Sequence, residues 1–403
     1  MILSPMAKKL IALSPFVLIF TALHWLLIRR FMLAGFNGRR PVAAMVTWCL
    51  LMIAGPTFVV NMDFIPWVGV KSAIALVVYL WMAFILLFTV WSHALRLVRS
   101  LLERCFRGGR DPAWRLLSPR VELGLHLGVV VGMLVLGGWL AVNPRLERLE
   151  IKDSRIPQGT SYRIAFVCDL HLGVLDNGPR MARTVALLRE AQPNLLLTGG
   201  DLTDVQMHDM ASMSAMFAGL PIPGGKLAVT GNHEVYSGIE QACAFYRDAG
   251  FRMLRGEAVD VTSFLNVTGF DDTAVTGLPP ESEQTASISA DARLLATFDP
   301  RRFRIVVRHQ PTIASGTPGL FDLQLSGHTH GGQIWPWVYM TRILYHYHDG
   351  MYDLGSGSRL YVSRGAATFG PPVRLFMPPE ITVVDLLPTP DSRPLLAPAQ
   401  HAD

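Results

Sequence analysis

Four stretches of the first 142 residues, at 10–28, 42–60, 72–91 and 123–142, are almost unbroken apolar sequence. A helix needs about 20 apolar residues to cross the hydrocarbon core of a bilayer. Backbone in that medium must also satisfy its own hydrogen bonds, which a helix does. Each stretch therefore reads as a transmembrane helix. Lys8 and Lys9 precede the first, as in a signal peptide. No small-residue cleavage site lies before Arg29 and Arg30, and three more spans follow, so the segment is expected to stay as an anchor. With only His24 and His126 inside the spans and Glu122 at an edge, transport through them is disfavoured.

Charge follows the same division. Residues 1–162 carry 18 Lys and Arg against 7 Asp and Glu, whereas 163–403 carry 18 against 24. The overall charge of +5 comes from arginines between apolar spans. The later half is acidic and lacks the basic face that nucleic-acid binding needs, so no nucleic acid is expected as a partner. Lys and Arg in short loops mark the cytoplasmic side. Arg29, Arg30, Arg39 and Arg40 lie in the first loop, and Arg96, Arg99, Arg104, Arg107, Arg110, Arg115 and Arg120 in the third. The second loop holds only Lys71 and Asp63. Loops one and three share the cytoplasmic side, so the chain after residue 142 is expected on the periplasmic or extracellular side of an inner membrane. The four cysteines, Cys49, Cys105, Cys168 and Cys243, form no CxxC and no disulfide framework. They read as free thiols.

From residue 162 short apolar runs alternate with helical stretches. Strands are expected at 163–168, 194–198, 226–230, 265–270, 303–307, 322–326, 359–362, 373–376 and 381–385, and helices at 179–191, 208–218 and 238–249. Alternation of this kind implies an α/β sheet, and the strand-rich end implies a second sheet packed on the first. The expected organisation is a four-helix anchor at 1–150, a catalytic domain at 160–387 and a disordered Pro/Ala-rich tail at 388–403.

Five polar signatures each follow a predicted strand: Asp169-Leu170-His171, Gly200-Asp201, Gly231-Asn232-His233-Glu234, Arg308-His309 and Gly327-His328-Thr329-His330. Ligands of α/β sheets bind beyond the carboxyl ends of strands, so five distant motifs should meet in one crevice. Oxygen and imidazole donors without cysteine suit Mn, Fe, Zn or similar divalent ions. Asp169 and His171 are two apart, as are His328 and His330, so each pair would share a face of extended chain. Asp201 could bridge two ions.

This ordered set resembles the calcineurin-like metallophosphoesterase family across residues 163–385. The runs GHTHGGQ at 327–333 and SRGAATFGPPVR at 363–374 resemble its membrane-linked branch, which includes enzymes acting on phospholipid-like or nucleotide-lipid phosphodiesters. The resemblance implies a two-sheet αββα sandwich and two divalent metal ions (Mn, Fe, Zn or Mg). Asp169, His171 and His330 would hold the first ion, Asn232, His309 and His328 the second, and Asp201 both. His233 would face the substrate as general acid or electrostatic clamp. The implied reaction is attack of a metal-bridging hydroxide on phosphorus. The expected function is a phosphodiesterase or pyrophosphate-cleaving hydrolase with a lipid-linked substrate; the alternatives are a phosphomonoesterase, including a protein phosphatase, and a non-catalytic sensor of a phosphorylated ligand.

Several neighbours read more plainly. Glu234 is expected to orient a ligand or to begin a helix, and Asp204 and His208 to be cap and surface residues. His346 and His348 are expected not to be ligands. Cys168 is expected to point away from the metals. The aromatic stretch 334–352 admits two readings, a half-buried loop or a surface that meets lipid.

Overall fold

Apolar runs of more than 20 residues become long helices, and the computed structural model shows four in the first part of the chain: α1 Pro5–Leu33, α2 Arg39–Val60, α3 Val68–Cys105 and α4 Pro119–Ala141. Described residues are 5–105, 118–175, 178–205, 207–276, 291–314 and 316–390, with side chains from residue 17 onward. Among them α2, α3 and α4 are each long and apolar enough to cross a membrane. The remaining expected span, 10–28, lies within α1. The chain divides into two units, Met1–Gly138 with Gly370–Val373, and Trp139–Phe369 with Arg374–Asp403.

In the first unit, large apolar side chains such as Trp25, Leu50, Leu51 and Val135 face outward, as suits a lipid solvent. The polar residues serve helix contacts. Trp81 Nε1 donates to His24 Nε2 at 2.8 Å. His126 Nδ1 lies 3.2 Å from Ser92 Oγ. Glu122 is 2.9 Å from Arg99 and 3.5 Å from Arg30. Arg96, Arg99 and Arg104, read as loop residues, instead ride on α3, which runs past the apolar span to Cys105. Arg107, Arg110 and Arg115 lie outside the described residues.

The second unit is built on two six-stranded sheets. The first has the order β1-β12-β2-β3-β4-β5, with β1 Arg145–Asp153, β2 Tyr162–Val167, β3 Leu195–Thr198, β4 Lys226–Ala228, β5 Arg252–Met253 and β12 Glu380–Pro388. The second has the order β10-β11-β9-β8-β7-β6, with β6 Glu257–Thr262, β7 Leu265–Gly269, β8 Phe303–Val307, β9 Leu323–Ser326, β10 Gly350–Gly355 and β11 Ser358–Val362. Strands β2 to β5 run parallel to one another, as do β7, β8, β9 and β11. Alternation sets the layers. Ile164, Phe166, Leu195 and Leu197 point toward Leu265, Val267, Ile305, Val307 and Leu325 in one core between the sheets. Ala165, Val167 and Leu196 point the other way, onto Met181, Val185 and Leu188 of α5 (Gly178–Ala191), Phe217 of α6 (Met210–Ala218) and Phe245 and Tyr246 of α8 (Ile239–Asp248). The short α7, Asn232–Tyr236, precedes α8. The fold is the expected two-sheet sandwich.

Three features depart from the sequence reading. Arg145–Asp153, left within the anchor and its linker, is an edge strand parallel to β12. The expected strand at 373–376 does not form; only Leu375 and Phe376 make isolated bridges, to Ile334. Arg374 turns fully inward there, which breaks the alternation that Val373, Leu375 and Phe376 suggested. The expected tail begins at Pro388, which is the last residue of β12, and 391–403 lie outside the described residues.

Candidate metal centre

Strands β2, β3, β4, β8 and β9 end within four residues of the five polar signatures, and all five loops meet at the same rim of the two sheets. Donor atoms of Asp169, His171 and His330 lie within 4.8 Å of one another, and so do those of Asp201, His309 and His328. A third group, His171, Asp201 and His233, joins them. All seven sequence-nominated side chains other than Asn232 are thus gathered, and Asn232 lies between Gly231 and His233 at the start of α7.

The backbone does this by a different route from that expected. Asp169, His171, Asp201, His328 and His330 all have positive φ, from 46° to 73°. Only ten non-glycine residues among those described share that conformation, so half of them are here. It costs energy at each position. Side chains two apart share the site through left-handed bends rather than through extended alternation. Two glycines make room: a Cβ on Gly231 would run into the Asp201 carboxylate, and one on Gly327 into that of Asp169.

Hydrogen bonds tie the loops together. Leu170 N and His171 N donate to Asp201 O at 2.9 and 3.0 Å. His328 N donates to the Asp169 carboxylate at 3.0 and 3.1 Å. Glu234 is fully buried, and its carboxylate accepts from Asp201 N at 2.8 Å, Gly231 N at 2.7 Å, Thr203 N at 3.1 Å and Tyr246 Oη at 3.1 Å. Both expected roles of Glu234 are therefore combined: it opens α7 and fixes the Asp201 loop. Cys168 points into the core between the sheets, and all four cysteines are free.

The donors fit divalent cations. Asn232 Oδ1 is buried with no hydrogen-bond partner, an arrangement that is costly unless something else is bound there. His309 Nδ1 donates to Gly199 O at 2.8 Å, which leaves the Nε2 lone pair facing Asp201 Oδ2 at 3.0 Å. Fixing the tautomer through the outer nitrogen is how metal-binding imidazoles are oriented. His171 Nε2 and His330 Nε2 are 3.0 Å apart, and His328 Nδ1 and His309 Nε2 3.1 Å. Two nitrogens at right angles about one ion, each about 2.1 Å from it, would be about 3.0 Å apart. His330 differs from the others in its outer bond. Arg374, fully buried, places Nη2 2.9 Å from its Nδ1 and donates through Nη1 to its carbonyl at 2.8 Å. Burial lowers this guanidinium to about 9, against the opposing pull of the Asp169 and Glu380 carboxylates.

Comparison with known proteins decides the family. Residues 162–332 match the model described as calcineurin-like phosphoesterase. A metallophosphoesterase of Aquifex aeolicus (strain VF5) is 35% identical over 243 residues, covering 60% of this chain and 91% of the relative. The chain is a calcineurin-like metallophosphoesterase. A metallophosphoesterase of Bacillus subtilis (strain 168) is 31% identical over 291 residues, 66% of this chain and 96% of the relative. A transmembrane protein with metallophosphoesterase domain from Danio rerio is 24% identical over 258 residues, 60% of this chain and 57% of the relative. This metallophosphoesterase is accordingly a metal-dependent phosphoester hydrolase that uses two divalent cations and, among the described residues, carries three helices long and apolar enough to cross a membrane.

The sequence reading missed four residues of the metallophosphoesterase's site. Asp204, taken for a cap, accepts from His233 Nδ1 at 2.9 Å and lies 3.4 Å from His171 Nδ1. Burial works against charge on His233, but the Asp204 hydrogen bond and the carboxylates of Asp201, Asp204 and Glu234 outweigh it and raise the imidazole to about 9. Tyr345 Oη lies 2.9 Å from His328 Nε2. Phe369 stands 4.9 Å from His233 and 5.5 Å from His171, ring to ring. Its backbone is clamped by Gln333, which accepts from Phe369 N at 2.9 Å and donates to Phe369 O at 3.1 Å. With Arg374, this gives a structural reason for the two runs at 327–333 and 363–374. Asp204 was legible only as the second acid of GDLTD, a spacing without a signature of its own. His346 is no part of either triad. His348 bonds to Arg342 and Asp349 instead.

Proposed function

We propose that this metallophosphoesterase cleaves a phosphodiester or pyrophosphate bond of a lipid-linked substrate, with its catalytic domain on the periplasmic side of an inner membrane. The observation that carries the reading of the site is the sharing of Asp201: one carboxylate serves the His309–His328 group and reaches His171 of the group opposite. In this proposal Asp169, His171 and His330 hold one cation, Asn232, His309 and His328 the other, and Asp201 both. The ions supply Lewis acidity toward the phosphoryl group and lower the pKa of water nearby.

The chain's own groups do the rest. Because His233 Nδ1 donates to Asp204, its Nε2 is the atom free to meet the substrate. Nε2 delivers a proton to the leaving oxygen, and Asp204 keeps the ring in that orientation. The Phe369 ring walls the site beside His233 with an apolar face, which keeps bulk water from the leaving group. Membrane helices in the same chain support a substrate that stays in the bilayer, and the arginine distribution around the spans supports the orientation.

The test is a hydrolysis screen of the detergent-solubilised full chain with Mn, Zn, Fe or Mg added. Substrates are a monoester and a diester of p-nitrophenol, lysophospholipids, phosphatidylglycerol and a nucleotide-lipid pyrophosphate. Preference for diester or pyrophosphate is the expected result; preference for the monoester overturns it. Asp201→Asn and Asn232→Ala should abolish turnover with loss of bound metal. His233→Ala should keep its metal and lose roughly 100- to 10,000-fold in rate, the contribution of a positioned acid. Wild-type rates in all three variants would sink the site assignment. A reporter fused after residue 142 that works only in the cytoplasm refutes the orientation.

A further inference from the structure

The helix Trp337–Leu344 carries apolar residues on the face that points away from the protein. Val338 and Thr341 are buried, and Gly332 packs directly beneath Val338. On the opposite side Tyr339, Met340, Ile343 and Leu344 are exposed, Ile343 by 76% and Leu344 by 67%. Trp335 and Trp337 flank the helix, both exposed. Phe376, 76% exposed, stands 6.4 Å from Trp335, ring to ring. Phe376 also has φ of 63°. A bulky residue rarely accepts a left-handed backbone, so the chain is strained at the point where this ring stands exposed. Seven large apolar side chains form one continuous surface, beyond what scattered exposure would give a soluble monomer.

The composition indicates what covers it. Aliphatic residues project furthest, and Trp and Tyr lie at the flanks, the amphipathic rings that favour the headgroup level of a bilayer. Arg342, on the same helix, supplies a positive charge of the kind that anionic headgroups attract. The same chain carries helices long and apolar enough to cross a membrane, which would tether this surface near lipid. The next residue, Tyr345, caps this helix through its N–H to Thr341 O at 2.8 Å, and its hydroxyl reaches His328 Nε2 at 2.9 Å. One end of the apolar surface is thus bonded to the metal centre.

We infer that Trp335, the helix Trp337–Leu344 and Phe376 form an interfacial segment that seats in the bilayer surface and presents the site to substrates still held in lipid. The inference deepens the lipid-linked reading above and rests on it for its consequence. Its partner is a lipid surface rather than a second copy of the chain.

The experiment uses the full chain in nanodiscs of phosphatidylcholine with phosphatidylglycerol, with Cys105 and Cys243 changed to Ser. A spin label is placed through Ile343→Cys, and a control label through Arg247→Cys, on a side chain exposed by 77%. At 343 relaxation by oxygen should exceed relaxation by a water-soluble nickel chelate, and at 247 the order should reverse. A label at 343 that reports water, or that shows dipolar coupling to a second chain, overturns the inference. A second measurement uses Ile343→Glu with Leu344→Glu. Burying one such side chain shifts partition by about ten-fold or more, so turnover of a lipid-borne diester in the nanodisc should fall at least about ten-fold while the soluble p-nitrophenyl diester is cleaved at the wild-type rate. Equal loss on both substrates, or loss on neither, also overturns it. If the label at 343 lies in lipid while the unaltered chain cleaves no lipid-borne substrate, the surface stands and the substrate reading fails.

Discussion

Replacing Glu234 by Gln removes one charge and leaves the shape unchanged, so its effect isolates the hydrogen bonding of a single buried carboxylate. One oxygen accepts from Asp201 N and Gly231 N, the other from Thr203 N and Tyr246 Oη. A glutamine has one acceptor oxygen and one NH2 group. The favoured rotamer keeps the oxygen on Asp201 N and Gly231 N and turns the NH2 toward the hydroxyls of Tyr246 and Thr203, which can accept, so Thr203 N is the buried donor that loses its partner. A hydrogen bond to a charged group contributes about 1.5–3 kcal/mol, so the loss is about 1.5–3 kcal/mol. That is a large share of the roughly 5–15 kcal/mol by which domains are stable. For a domain of this size about 1 kcal/mol moves the melting temperature by about 2–4 °C, so a fall of about 5 °C is expected. With Cys105 and Cys243 changed to Ser, the melt can be followed in detergent with a thiol-reactive fluorogenic dye, because Cys168 is buried in the core between the sheets and reacts only on unfolding. Thr203 N lies in the loop that carries Asp201, so loosening there should lower metal content in parallel. An unchanged melting temperature together with unchanged metal content would refute the reasoning.

Three further outcomes are expected. Asp204→Ala removes the carboxylate that holds the His233 ring and lies beside His171 Nδ1, and turnover should drop by roughly 10- to 100-fold, the usual cost of losing a histidine's outer partner; a rate equal to wild type removes Asp204 from the site. Gly231→Ala places a methyl against the Asp201 carboxylate in a backbone conformation that alanine tolerates, so hydrolysis should vanish even in protein that folds, and an active variant shows that the loop can yield. Burial alone would raise the Asp153 carboxyl, but hydrogen bonds and charge from Arg155 hold it below its usual range. A depressed folded-state value stabilises above the unfolded value of about 3.9 and is lost as pH falls through the folded one, so Arg155→Met should flatten the acid limb of the stability curve, as read by melting temperature against pH.

The core strands were legible because they are buried on both faces and read as apolar runs; β8 has the bounds expected for it, and β2, β3 and β9 begin within a residue of theirs. Motifs that follow such strands are located with them. Edge strands carry no such signal. In β1 charged residues alternate with half-buried ones, and β6 and β10 are exposed at every second or third position, so these read as loop. Local turn geometry was also hidden. No composition rule assigns positive φ to Asp169 or His328, because the conformation is imposed by the packing of neighbouring loops. Asp204 and Tyr345 enter the site through tertiary contacts that no short spacing encodes. At 373–376 the apolar pattern was real, but Arg374 finds its acceptors inside, on Ala367, His330 and Arg364.

The nominated donors come from both layers of the sandwich: Asp169, Asp201 and Asn232 follow strands of the first sheet, and His309, His328 and His330 follow strands of the second. An ion held by these residues would be bonded to each half at once. Such an ion would act as a rivet, binding only when the halves have closed and resisting their parting afterwards. Cation supply would then set how long the assembled enzyme survives as well as how fast it turns over, and starvation for metal would be felt first as loosening along the seam.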